Sequence, residues 1–140
     1  LISSFSALTL LSWTNGFGEI AILNATIVGA VVAYTYFNIK PARFMMGDVG
    51  SLGLGALFAV NTIAIGEIGT IFMLGFVFYI EAFSVVIQVA GKYLLRRRIF
   101  KMAPIHHHFE LMGWSEEKTI MRFWIVHFIF VVAGIWLSLH

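Results

Sequence analysis

Phe123-Trp124-Ile125-Val126-His127-Phe128-Ile129-Phe130-Val131-Val132-Ala133-Gly134-Ile135-Trp136-Leu137-Ser138-Leu139 decides the fold class. The stretch contains no Asp, Glu, Lys or Arg. At 1.5 Å per helical residue, roughly 17 residues suffice to cross a hydrocarbon core of about 30 Å. Three more uncharged or nearly uncharged runs precede it, at Ile20–Phe37, Val49–Ile65 and Gly69–Ala90. A shorter apolar run, Leu1–Trp13, has no basic flank and no small-residue cleavage site, so it does not read as a secretory signal. It reads instead as the tail of a fifth crossing, and the chain as the C-terminal part of something longer.

Composition points the same way. The 140 residues are 60% hydrophobic and only 11% charged, against about 25% charged in an ordinary soluble domain. Their mean hydropathy is +0.93. Too few polar side chains remain to cover a water-soluble globule, and disorder needs the opposite balance. Barrel strands alternate apolar and polar residues over about ten positions. Val28–Tyr36 and Gly69–Tyr79 are apolar on every side, as a helix in lipid is. A helix also satisfies its own backbone, which hydrocarbon demands. The expectation is an all-α polytopic membrane protein, with about five transmembrane helices of a larger bundle and one domain over 1–140. Cysteine is absent, so there is neither a disulfide framework nor a thiolate site.

The charges orient the chain. Lys40, Arg43, Lys92, Arg96, Arg97, Arg98, Lys101, Lys118 and Arg122 all fall in two loops, Asn38–Asp48 and Gly91–Arg122. The opposite loops carry Glu19 and Glu67 and no basic residue. Basic residues in short loops stay cytoplasmic, so the two loops richest in reactive side chains are expected to face the cytoplasm.

In the first loop Pro41 ends the preceding helix, and a new helix is expected near Val49 with Asp48 at or just before its first turn. Such an Asp can simply cap free N–H groups. Alternatively, glycines at 47 and 50 permit close approach of a ligand, and helix N-termini bind phosphate. A carboxylate beside a phosphate calls for an intervening cation, and Mg²⁺ takes carboxylates together with substrate phosphates. Asp48 is then a candidate Mg²⁺ ligand that needs partners from elsewhere. In the second loop, Arg96–Arg98 and Lys101 can be a topology anchor or a phosphate-binding patch. His106, His107 and His108 raise the question of zinc. Adjacent helical positions lie about 100° apart and do not converge on one ion, whereas extended His106 and His108 share a side. No cysteine or clear third ligand supports zinc, and imidazoles beside a basic patch also suit a phosphate-rich substrate. Ser115 reads as the N-cap of a helix starting about Glu116.

Glu81 falls near the middle of Gly69–Ala90, where a charge is costly and either functional or held in a polar contact. Asn24, Asn61, Gln88 and His127 read as interhelical hydrogen bonds. Glycines 50, 53, 55, 69 and 75 read as close-packing positions.

Phe44-Met45-Met46-Gly47-Asp48-Val49-Gly50-Ser51-Leu52 resembles the FMGDxGSL signature of the polyprenyl-phosphate N-acetylhexosamine-1-phosphate transferases. Met102-Ala103-Pro104-Ile105-His106-His107-His108-Phe109-Glu110 resembles the MAPIHHHxE segment of the branch that uses UDP-MurNAc-pentapeptide. Glu81 to Val89 is similar to that family's E-x-x-S-V-I-x-Q-V stretch, and Arg98–Lys101 and Gly113-Trp114…Arg122-Phe123-Trp124 agree. The resemblance implies about ten transmembrane helices, of which these are the last five. It implies transfer of phospho-MurNAc-pentapeptide from UDP to undecaprenyl phosphate at the bacterial inner membrane, giving lipid I and UMP, with Mg²⁺ as cofactor. Asp48 would be the metal-linked carboxylate. His106 would aid catalysis, and His107, His108, Arg96, Arg97, Arg98, Lys101 and Gly47 would contact substrate. The family's upstream aspartate motifs are not in this sequence, so the missing N-terminal half is an expected partner. Whether the protein is a homodimer stays open.

Three other readings compete: a sister transferase for another UDP-sugar, a metal-ion transporter, and a non-catalytic scaffold. All turn on whether Asp48 and the His triplet meet at one pyrophosphate pocket.

Overall fold

A computed structural model describes residues 1–39 and 46–140. Among the described residues every regular element is a helix. In chain order these are α1 (Ile2–Thr14), α2 (Gly18–Asn38), α3 (Gly47–Ala64), α4 (Ile71–Leu74), α5 (Phe76–Leu94), α6 (Ile105–Glu110) and α7 (Glu116–Leu139). Four of them, α2, α3, α5 and α7, are long and apolar enough to cross a membrane. The expected run Leu1–Trp13 is helical as well. The expected break at Pro41, the basic residues Lys40 and Arg43, and Phe44 and Met45 lie outside the described residues.

The run Gly69–Ala90 is not one helix. It breaks at Gly75, whose φ of −111° and ψ of 16° leave the helical region. Glycine is the least costly residue at which to interrupt a helix, because it gains most freedom there and has no side chain to repack.

The chain forms two compact units, Leu1–Leu74 with Val131–His140, and Gly75–Phe130. In the first, α1 packs along α2. Phe5, Leu8 and Leu11 form a core with Ile27, Val31, Phe58 and Leu74, and Phe5 meets Phe58 edge to face with ring centroids 6.1 Å apart. Polar groups lie inside this unit. Asn61 donates to Asn24 Oδ1 at 2.7 Å, Asn24 donates to Ser12 Oγ at 3.3 Å, and Ser12 donates to the Leu8 carbonyl. The expected interhelical roles of Asn24 and Asn61 hold. The outward faces are apolar instead: Val49 is 91% exposed and Leu52 72%. Polar inside and apolar outside is the arrangement lipid favours, since an unpaired amide in hydrocarbon is costly.

A Cβ built at Gly53, Gly55 or Gly69 meets no atom within 4 Å, so the close packing expected at these glycines is not made among the described residues. Close approaches occur at Gly91, against Ile99, and at Gly134, against Met73 and Leu74.

Candidate functional site

The His loop is held by a row of polar side chains on α5. Glu81, Ser84 and Gln88 stand at i, i+3 and i+7 and therefore share one helix face. Past the end of α5 the chain reverses at Arg96, which has a φ of +49°, and runs back along that face. Gln88 clamps its start. Its Oε1 accepts from the N–H groups of Ile99 at 3.1 Å and Phe100 at 2.9 Å, and its Nε2 donates to the Phe100 carbonyl at 3.0 Å. Gly91 makes room for the Ile99 side chain, which a Cβ would meet at 2.5 Å. One turn further, Ser84 Oγ accepts from the Ile105 N–H at 3.0 Å and donates to the Glu81 carbonyl at 2.7 Å. At the far end Glu81 Oε2 lies 2.8 Å from His106 Nδ1. The returning segment thus follows about 10 Å of helix from Gln88 to Glu81, at 1.5 Å per residue.

The break at Gly75 makes Glu81 the sixth residue of α5. Phe76 stacks on Phe130, and Phe78 packs on His127. Val77 and Ile80 line an apolar cavity of about 450 Å³ with Phe123 and Val126. As α5 advances from Phe76 to Ile80, its neighbours on α7 step back from Phe130 toward Phe123. Glu81 lies within the membrane-length helix Phe76–Leu94, where a carboxylate needs a polar partner, and His106 supplies one. His127, expected to bridge helices by a hydrogen bond, is buried against the Phe78 ring.

His106, His107 and His108 lie on the short helix α6, not on an extended strand, which removes the geometry that would turn His106 and His108 to one side. Each ring has its own partner. His107 Nδ1 is 2.8 Å from Glu110 Oε2, and His108 Nδ1 accepts the Lys101 backbone N–H at 3.1 Å. The His106 and His107 rings are 4.1 Å apart. Among the described residues no group of three His, Cys, Asp or Glu side chains could hold a metal ion. Arg96, Arg97, Arg98 and Lys101 are all exposed. Beyond α6, Gly113 with a φ of +98° closes the turn. Trp114 stacks on Phe109, and Arg122 lies 4.2 Å over its ring. Ser115 accepts the Lys118 N–H at 3.3 Å, the expected cap.

Asp48 and Gly47 belong to the first unit and the His loop to the second. The helix expected near Val49 starts at Gly47, with Met46 at the N-cap and no side-chain capping bond. Asp48 is therefore inside the first turn, exposed, and is not the cap. The Met46 N–H donates to the Tyr34 hydroxyl at 3.2 Å, tying the start of α3 to α2. Gly47 has a φ of +65°, and a Cβ there would meet nothing within 4 Å. Glycine is required by the backbone at this position and not by lack of space. A single exposed carboxylate in the first turn could contribute one ligand to a hard divalent cation that retains water and phosphate ligands.

Sequence reasoning singled out Gln88 only as an interhelical bond and passed over Ser84 and Glu110 as site residues. The legible signal was the i, i+3, i+7 spacing of three polar residues on an otherwise apolar helix.

Residues 1–66 match the family model described as glycosyl transferase family 4. Over 135 residues, 96% of the chain, it is 41% identical to a phospho-N-acetylmuramoyl-pentapeptide-transferase of Shouchella clausii and covers 42% of that protein. It is 50% identical over 122 residues, 86% of the chain, to the transferase of the same description from Francisella philomiragia, covering 33% of it. The corresponding protein of Halalkalibacterium halodurans is 42% identical over 135 residues, 96% of the chain, which again covers 42% of its relative. The chain thus spans less than half the length of each of these relatives.

Proposed function

We propose that this chain, which is related by sequence to the phospho-N-acetylmuramoyl-pentapeptide-transferases, forms part of an enzyme that moves phospho-MurNAc-pentapeptide from UDP to undecaprenyl phosphate. The products are lipid I and UMP. The supporting observation is the His loop. A segment carrying three imidazoles and four exposed cations is docked along α5 by Glu81, Ser84 and Gln88. One reactant is water-soluble and the other lipid-anchored, so a polar loop joining two membrane-length helices is where both can reach.

The roles follow from chemistry. Arg96–Arg98 and Lys101 draw the diphosphate toward the loop. His107 and His108 bind its oxygens, and His106 exchanges a proton at the reacting phosphate. Gly47 leaves the backbone at the head of α3 open to a phosphate oxygen. Asp48 would hold Mg²⁺, with further carboxylates contributed from outside this chain. The cation supplies charge neutralisation of the diphosphate and of leaving UMP. The site would face the cytoplasm of a bacterial plasma membrane, a reading that the basic loops support.

The test uses the full-length protein in lipid, with UMP release measured from UDP-MurNAc-pentapeptide and from UDP-GlcNAc. Turnover of the first alone, abolished by Asp48→Asn in a folded protein, is the expected result. Preference for UDP-GlcNAc points to a sister transferase, and near-normal turnover of Asp48→Asn removes Asp48 from the chemistry.

A further inference from the structure

The three histidines are not equivalent, because their Nδ1 atoms have partners of opposite character. An ionised carboxylate only accepts hydrogen bonds and a backbone N–H only donates them. His106 Nδ1 faces Glu81 Oε2 and His107 Nδ1 faces Glu110 Oε2, each at 2.8 Å. Both Nδ1 atoms must carry hydrogen, and the proton that comes and goes on these rings is the one on Nε2. His108 Nδ1 receives the Lys101 N–H, so that nitrogen keeps its lone pair. A neutral His108 then carries its hydrogen on Nε2, and protonating Nδ1 would break the bond to Lys101.

We infer that Glu81 is a positioning residue that fixes His106 in the Nδ1–H form, and that the triplet is divided by its partners into two rings that exchange a proton at Nε2 and one, His108, that serves as a fixed Nε2–H donor. A carboxylate behind an imidazole both orients the ring and sets which nitrogen is reactive. Ser84 reinforces Glu81, since its hydroxyl bonds the Glu81 carbonyl and the Ile105 N–H that precedes His106. For an anionic phosphate-bearing ligand the arrangement offers a permanent donor beside groups able to take up or release a proton. That catalytic consequence rests on the transfer reaction proposed above, whereas the tautomers themselves do not.

The test has two arms on the full-length protein in nanodiscs. In the first, ¹⁵N-histidine spectra are assigned with His106→Gln, His107→Gln and His108→Gln. The expected pattern is protonated Nδ1 at His106 and His107, with unprotonated Nδ1 and protonated Nε2 at His108. Glu81→Leu should release His106 into a mixture of forms, while Glu81→Gln, whose side-chain carbonyl still accepts, should keep it. One common tautomer for all three rings, or an unchanged His106 in Glu81→Leu, overturns the inference. In the second arm Glu81→Leu should lower kcat about 10- to 100-fold, the range for a partner behind a functional His, with KM little changed. Glu81→Gln should recover part of that loss. In a His106→Ala background Glu81→Leu should cost nothing more, and a further loss there would show that Glu81 does not act through His106. Absence of wild-type turnover would sink the proposed reaction and leave the spectral arm standing.

Discussion

Gln88→Leu isolates the clamp that starts the His loop on α5. The substitution keeps side-chain size and removes all three hydrogen bonds to Ile99 and Phe100. The Ile99 bond is exposed and the two Phe100 bonds are half-buried, so the first belongs near the bottom of the usual range of about 0.5–1.5 kcal/mol and the others near its middle. The sum for docking the loop is about 2.5 kcal/mol, or roughly sixtyfold in the docked population at 1.4 kcal/mol per factor of ten. Amide hydrogen exchange reads this directly, since local opening sets exchange from protected N–H groups. Exchange at Ile99 and Phe100 should speed up by about that factor, followed more weakly by Ile105, while amides at the centre of α2 stay unchanged. Gln88→Glu should act in the same direction, because it deletes the donor to the Phe100 carbonyl. Unchanged exchange across residues 99–106 in Gln88→Leu would refute the docking mechanism.

Asn24→Leu strands the Asn61 amide inside the first unit and should cost about 1–2 kcal/mol, with Asn24→Leu/Asn61→Leu less destabilised than the sum of the singles, as unfolding in mixed detergent would show. Glu67 lies in a loop where burial pushes its carboxyl up but hydrogen bonds from Ser138, Thr70 and Asn15 outweigh it, so its pKa is held below the ordinary value. Its contribution is therefore complete above the unfolded carboxylate range, about pH 4.3, and is lost as pH falls through the lower folded value. The stability gap between wild type and Glu67→Gln should close on acidification, and a gap that widens would contradict that sign. Gly47→Ala forces a Cβ into left-handed backbone and should destabilise the head of α3 by about 1 kcal/mol, visible as faster amide exchange at residues 49–52 without loss of α2 protection.

Much of this architecture is legible from hydropathy, because length and lack of charge suffice for α2, α3 and α7. The division at Gly75 is not. Nothing in the run from Gly69 to Ala90 distinguishes a tolerated glycine from a helix break. The polar row on α5 was visible as spacing, yet its partner was not, since hydropathy says nothing about a loop that folds back on the helix it leaves. The His triplet was found by residue type and sequence resemblance. The opposed roles of its Nδ1 atoms needed coordinates, because Glu81 is 25 positions from His106 in sequence. Asp48 could be placed within a residue or two, but its position inside the first turn, and not at the cap, needed the observed helix start at Gly47 with Met46 as N-cap.

The proposed transfer requires Asp48 and His106 to act on one diphosphate. Mn²⁺ substituted for Mg²⁺ in the ¹⁵N-histidine-labelled full-length protein, with UDP-MurNAc-pentapeptide bound, tests it most directly. Paramagnetic broadening of His106 that vanishes in Asp48→Asn is the expected result. A sharp His106 signal beside bound Mn²⁺, or broadening that persists without the Asp48 carboxylate, would contradict it.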